Sequence, residues 1–93
     1  MVTLATRIDE IFEIERFKIR VEDLEDDPID LGDHGVLDRY PFKKSLPGEK
    51  TVNDWKRLRF SPSRSEIKCR VLLGTGKPAK EGMALADVRG SYV

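Results

Sequence analysis

Cysteine and histidine are almost absent from the chain. Cys69 is the only cysteine and His34 the only histidine among 93 residues. A single cysteine excludes an intramolecular disulfide framework and any zinc site built from several cysteines. Cys69 also lies on the apolar phase of its segment, where a buried, inert thiol is the usual outcome. We therefore expect a reducing, cytoplasmic environment, with no bound metal and no cofactor.

Long apolar runs are absent as well. No stretch approaches the roughly eighteen consecutive apolar residues that a membrane span needs, and the first ten residues do not resemble a secretory signal. The sequence thus predicts no membrane segment. Apolar residues make up 39% of the chain, below the usual share of about 45 to 50%. A core this thin makes association a natural way to bury more surface, so we expect a homo-oligomer or another protein partner.

No change in composition divides the chain, and no segment stands out as repeating at a fixed period. Its 93 residues fit one domain of ordinary size. We therefore expect a single domain over residues 1–93.

The net charge of zero hides a strong division of charge along the chain. Residues 1–38 carry twelve Asp or Glu against four Lys or Arg, whereas residues 39–93 carry five against thirteen. The two parts therefore have formal charges of −8 and +8. Such asymmetry bears on association and on the choice of partner, although it says little about the fold.

The acidic part is densest between residues 22 and 35. Clustered acids, Pro28 and two glycines predict a surface loop there, without regular structure and free to move. Four of its carboxylates are candidates for binding a partner, and their spacing does not match a calcium loop of the EF-hand type. They are Asp26, Asp27, Asp30 and Asp33.

Residues 4–21 allow two interpretations. Apolar residues from Leu4 to Phe12 recur at helical spacing, and those from Phe17 to Val21 alternate as in a strand, which predicts a short helix that leads into a strand. No glycine or proline separates the two patterns, so a single long bulged strand is the alternative.

The remainder of the chain predicts further short elements. Thr51 and Asp54 are spaced like the start of a helix, although residues 58–60 also fit a strand. Alternation from Ile67 to Leu73 predicts a strand that ends at Gly74. For residues 83–88 we expect a last strand that pairs back as a hairpin, with a final helical turn as the alternative. Together these elements predict a small α+β domain with an antiparallel sheet and one or two short helices.

The basic segment, residues 39–80, offers the second functional hypothesis. Lysines and arginines alternate there with aromatic residues, a mixture typical of nucleic-acid binding, since cations release counterions from phosphates and aromatic rings stack on bases. The candidate residues are Lys56, Arg57, Arg59, Arg64, Lys68 and Arg70. The same lysines and arginines could instead face the acidic part of the chain, within one molecule or across a dimer.

Catalytic motifs are poorly represented. Asp54, Glu66 and Lys68 resemble the two metal-binding acids and the lysine of some nucleases, but such a pattern is also common on solvated strands. No group of residues supplies a nucleophile, a base and an orienting partner together. We therefore expect a non-catalytic protein-interaction module that self-associates through its polarised surface, with nucleic-acid binding as the alternative.

Overall fold

Residues 2–64 and 66–92 are described by a computed structural model, in which three helices accompany a two-stranded antiparallel sheet. The elements in chain order are α1 (Leu4–Glu15), β1 (Lys18–Asp23), α2 (Val52–Arg59), β2 (Ile67–Leu72) and α3 (Leu85–Gly90). This architecture confirms the predicted small α+β class with an antiparallel sheet. It has one helix more than the sequence indicated.

The first segment is a helix followed by a strand, not one long strand. Thr3 caps α1, since its side chain accepts a hydrogen bond from the backbone of Thr6. The helix ends where Arg16 takes a left-handed conformation with φ of 67°, which turns the chain without glycine or proline. Beyond this turn, Ile19 and Val21 alternate toward the core. The start of the predicted acidic loop belongs to β1, which extends through Asp23.

Residues 51–72 form the helix and the strand that their local sequence patterns predict. Thr51 and Asp54 form a reciprocal capping box at the start of α2, and Val52 and Trp55 are its buried residues. The helix stops before Phe60, whose backbone is extended. The strand predicted from Ile67 to Leu73 is observed as β2, and its alternate residues Cys69 and Val71 are buried in the core.

The predicted C-terminal hairpin is wrong, because residues 85–90 form α3. The outer edge of β2 is already occupied by residues 77–79: Leu73 N donates to Lys77 O, and Ala79 N donates to Val71 O. A further strand has no free edge to join there. Leu85 and Val88, three residues apart, instead bury one face of a helical turn.

The chain contains an internal repeat, contrary to the expectation from the sequence. Residues 17–32 and 67–82 share the pattern Lys-x-Arg-Val, then Pro seven residues after Val and Gly four residues further on. The identical pairs lie fifty positions apart: Lys18 and Lys68, Arg20 and Arg70, Val21 and Val71, Pro28 and Pro78, Gly32 and Gly82. We name residues 3–37 unit 1 and residues 51–88 unit 2.

The backbone repeats in the same way. In both units an outer segment, residues 27–29 or 77–79, pairs with its strand through equivalent hydrogen bonds. The first residue of each helix donates an equivalent hydrogen bond, since Leu4 N donates to Asp33 O and Val52 N donates to Met83 O. Left-handed residues also correspond: Arg16 with Glu66, and Asp26 with Gly76. The two units therefore have the same supersecondary structure.

The register of the sheet relates the two units by an approximate two-fold axis. Ile19 is opposite Val71 and Val21 is opposite Cys69, so the centre of the pairing lies at Arg20 and Arg70, which are themselves equivalent in the repeat. The inner face of this sheet packs into one core shared by both units, where the rings of Phe17 and Trp55 meet edge to face at 5.2 Å between centroids.

Candidate binding surface

Acids of residues 1–38 form ion pairs with bases of residues 39–93, so part of the opposite charge of the two parts is neutralised within the fold. Six ion pairs among the described residues join an acid in residues 1–38 to a base in residues 39–93. They are Arg59–Glu15, Arg89–Glu15, Arg64–Asp33, Lys68–Asp26, Arg70–Glu22 and Arg70–Asp26. Opposite charges thus meet inside one chain.

Glu15 is the most deeply buried member of this set. Its side chain has no exposed surface, and each carboxylate oxygen accepts two hydrogen bonds. The donors are Arg89 Nη2 (2.9 Å) and Leu46 N (2.9 Å) to Oε1, and Arg59 Nη1 (2.6 Å) and Tyr40 OH (2.5 Å) to Oε2. Burial and the bond to this carboxylate raise the pKa of the Tyr40 hydroxyl. These four hydrogen bonds satisfy both oxygens of the Glu15 carboxylate. Through them Glu15 joins the end of α1 to α2, to α3 and to the connection between the units.

The outer face of the sheet carries cations from both strands. Lys18 and Arg20 on β1 are exposed, and Lys68 and Arg70 on β2 are partly exposed. Glu22 lies between the two arginines, and Asp26 pairs with Lys68 and Arg70. The hydrogen bond from Lys68 holds the pKa of Asp26 below its usual range.

The six residues proposed for nucleic-acid binding are distributed over several sites. Lys56, Lys68 and Arg70 line one recess of about 390 Å³, together with Phe60 and Glu81. The other three, Arg57, Arg59 and Arg64, do not line this recess.

All six of these bases have an acidic partner. Lys56 pairs with Glu81, and Arg57 pairs with Asp54. Arg59, Arg64, Lys68 and Arg70 use the acids of the first part already described. Arg59 serves the buried Glu15, and its guanidinium also stacks over Phe42 at 4.2 Å from the ring centroid.

The four acidic candidates divide into two pairs. Asp26 and Asp33 have basic partners, at a longer distance of 4.0 Å in the case of Asp33 and Arg64. Asp27 and Asp30 are exposed, and neither forms an ion pair within residues 2–64 and 66–92. We name Asp27 and Asp30 the acidic edge, since Asp27 lies in the segment that pairs with the outer side of β1 and Asp30 directly follows that segment.

Two lysines that the sequence analysis did not select occupy the equivalent positions of unit 2. Lys77 corresponds to Asp27 and Lys80 corresponds to Asp30. Both lysines are exposed, and neither forms an ion pair in the described part of the chain. We name them the basic edge. The fifty-residue spacing of the shared Lys, Arg, Val, Pro and Gly is the signal that would have found them.

Two of the three residues that resembled a nuclease site, Asp54 and Lys68, have other roles. Asp54 completes the capping box of α2 and pairs with Arg57, while Lys68 pairs with Asp26. Among the described residues, no group of three or more His, Cys, Asp or Glu side chains is arranged to hold a metal ion. Burial raises the pKa of the Cys69 thiol to about 12.

A second recess, about 440 Å³, lies between the segment from Leu37 to Phe42 and the end of α2. Tyr40, Phe42 and Phe60 supply its aromatic surface, and Leu58 is exposed at its wall. Arg59 is held in this wall by Glu15, so the recess has an aromatic surface with one fixed cation.

Within the described part of the chain, none of the helices has the length and apolar character required to span a membrane. The scan of protein-family models finds no match, and searches of curated proteins and of solved structures find no significant match.

Proposed function

We propose that the protein is a non-catalytic interaction module that self-associates through exposed surfaces of opposite charge. The observation that carries this proposal is the pair of edges, Asp27 and Asp30 in unit 1 and Lys77 and Lys80 in unit 2. They occupy equivalent positions in the two units and have opposite charge. A cytoplasmic location, which the free and buried Cys69 thiol favours, is part of the proposal.

The ion pairs within the chain narrow the surfaces that remain for a partner. Three of the seven acids in residues 22–33, namely Glu22, Asp26 and Asp33, already have internal bases, and the buried Glu15 is inaccessible. The exposed residues of the two edges have no such internal partner in the described part of the chain, so their charge is available for association. A net charge of zero removes the general repulsion between copies that would oppose contact.

The experiment is size-exclusion chromatography with light scattering over a wide range of protein concentration and salt. At low ionic strength the mean mass should rise with concentration. In 1 M salt, where the Debye length falls to about 3 Å, it should return to the monomer value. A strictly monomeric protein at the highest concentration and lowest salt would overturn the proposal.

Nucleic-acid binding is the second candidate, and the outer face of the sheet is the observation that favours it. Four cations, Lys18, Arg20, Lys68 and Arg70, outnumber the two carboxylates that pair with them, Glu22 and Asp26. The two-fold relation between the strands also matches the symmetry of a duplex backbone.

The test of this second candidate is binding of a labelled duplex oligonucleotide as a function of salt. The variant Lys18→Ala with Lys68→Ala should weaken binding several-fold and reduce the salt dependence by about two phosphate contacts. Lys43→Ala with Lys44→Ala is the matched control, since both lysines are exposed and lie outside the sheet. Equal weakening by both variants would contradict a site on the sheet.

A further inference from the structure

We infer that copies of this chain associate head to tail, with the acidic edge of one copy against the basic edge of the next. This inference rests on the proposed self-association and names its two surfaces. The acidic edge is Asp27 and Asp30, and the basic edge is Lys77 and Lys80.

The two edges cannot meet within one molecule. Residues 27–29 pair with the outer side of β1, residues 77–79 pair with the outer side of β2, and the two strands pair with each other between them. The order across the ladder is therefore outer segment, β1, β2, outer segment. Three strand spacings of about 4.8 Å place the outer backbones roughly 14 Å apart, beyond the reach of an ion pair at 4 Å. An ion pair between the two edges thus requires a second copy.

The arrangement of the two charges on each edge is matched. Asp23 N donates to Asp27 O in unit 1, and Leu73 N donates to Lys77 O in unit 2. The following turns also correspond, since Asp33 N donates to Asp30 O and Met83 N donates to Lys80 O. The same backbone frame therefore holds two carboxylates on one edge and two ammonium groups on the other.

Pro28 and Pro78 determine the kind of contact. Residues 27 and 29 direct their hydrogen-bonding groups toward β1, so the backbone of Pro28 faces outward, and the same holds for Pro78 beside β2. Proline has no N–H to donate, so neither edge can extend the ladder by regular backbone pairing. The contact is therefore made by side chains, and it is weak, reversible and sensitive to salt.

Two different surfaces make this association heterologous. Each copy bound through its acidic edge still has a free basic edge, so growth continues unless the geometry closes a ring. The expected species are a concentration-dependent series or a closed ring, and not only a symmetric dimer.

The test uses two charge-reversal variants of the full chain. Asp27→Lys with Asp30→Lys has two basic edges, and Lys77→Asp with Lys80→Asp has two acidic edges. Each variant alone should lose the concentration-dependent increase in mass measured by sedimentation velocity at low salt. Their equimolar mixture should recover it, because each edge again meets its opposite.

Matched controls place the same changes in charge elsewhere. Lys43→Asp with Lys44→Asp, and Asp9→Lys with Glu13→Lys, alter exposed residues away from both edges. Each control variant, measured alone, should retain more association than the edge variant that carries the same change in charge.

Folding is controlled separately. Asp30 accepts a hydrogen bond from Gly32 N at 2.7 Å, which lysine cannot replace. Asp27→Asn with Asp30→Asn removes the charge and keeps an acceptor at this position, so it should also reduce association several-fold with an unchanged circular dichroism spectrum.

The outcomes separate this inference from the proposed function. If the wild type associates and both edge variants associate equally well, or if the mixture stays monomeric, the head-to-tail arrangement is wrong while self-association stands. If the wild type is monomeric throughout, the proposed function itself fails. Loss in each variant with recovery in the mixture supports the arrangement.

Discussion

Arg20 and Arg70 lie directly opposite each other at the centre of the sheet, and Glu22 binds both of them. Its carboxylate is 2.9 Å from Arg20 Nε and 2.8 Å from Arg70 Nε. Like charges directly across a ladder destabilise it, so the approximate two-fold axis creates a repulsion that one acid relieves. Leu72 takes the equivalent position of unit 2, and the relief therefore comes from unit 1 alone.

Glu22→Gln should destabilise the fold by about 1 to 3 kcal/mol, because Arg20 loses its charged acceptor and Arg70 retains the longer contact to Asp26. The partly exposed arginines retain some hydration, which keeps the effect below that of a fully buried pair. Urea unfolding followed by tryptophan fluorescence measures it. Glu25→Gln, at an exposed position in the next turn, should change stability by less than about 0.5 kcal/mol. Equal effects of the two changes would contradict the role of Glu22.

Glu15→Gln should have a larger effect, about 3 to 5 kcal/mol, because it removes the counter-charge of two largely buried guanidinium groups. The side chains of Arg59 and Arg89 are only 15% and 19% exposed. Glu13→Gln on the exposed side of α1 is the matched control. The same unfolding measurement applies, and a loss below about 1 kcal/mol would show that Glu15 does not hold the units together.

Stability should fall in acid, in part through Asp38. Hydrogen bonds from Ser63 and Ser61 hold the pKa of this carboxyl below its usual range. A lowered pKa in the folded state stabilises the fold above the unfolded pKa of about 3.9, and this contribution is lost as pH falls through the folded value. Ser61→Ala with Ser63→Ala should therefore reduce the difference in unfolding free energy between pH 6 and pH 3. An unchanged difference would remove Asp38 as a source of acid sensitivity.

Cys69 should react very slowly with thiol reagents in the folded protein. Its pKa of about 12 leaves little thiolate at pH 8, and the side chain is buried. We expect alkylation at least 100-fold slower than in the urea-unfolded chain, as measured by mass spectrometry over time. Comparable rates in the two states would indicate frequent opening of β2.

Local patterns predicted the elements whose signals lie within a few residues. The alternation from Ile67 to Leu73 and the capping pair Thr51 and Asp54 depend on neighbours alone, and both correspond to observed elements. The helix at residues 85–90 depended on a distant event, namely the pairing of residues 77–79 with β2. No property of residues 83–88 reveals that the edge is already taken.

The candidate surface shows the same division between local and distant information. The acidic residues were identifiable as a group, but which of them stay available is decided by bases far along the chain, as with Asp26 and Lys68. The burial of Glu15 likewise depends on Arg59 and Arg89, which only the folded chain brings to it. The repeat is present in the sequence, but it rests on few identical positions. The matching backbone of the two units is what makes it recognisable.

Covalent linkage of the two units has a consequence for how they can diverge. A dimer of separate, identical units must present the same residue at both outer positions, so any change there appears twice and keeps the assembly without direction. In a single chain each unit can accept substitutions independently. Asp27 and Lys77 are opposite in charge while both units pack into one shared interior, so the molecule has two distinguishable ends.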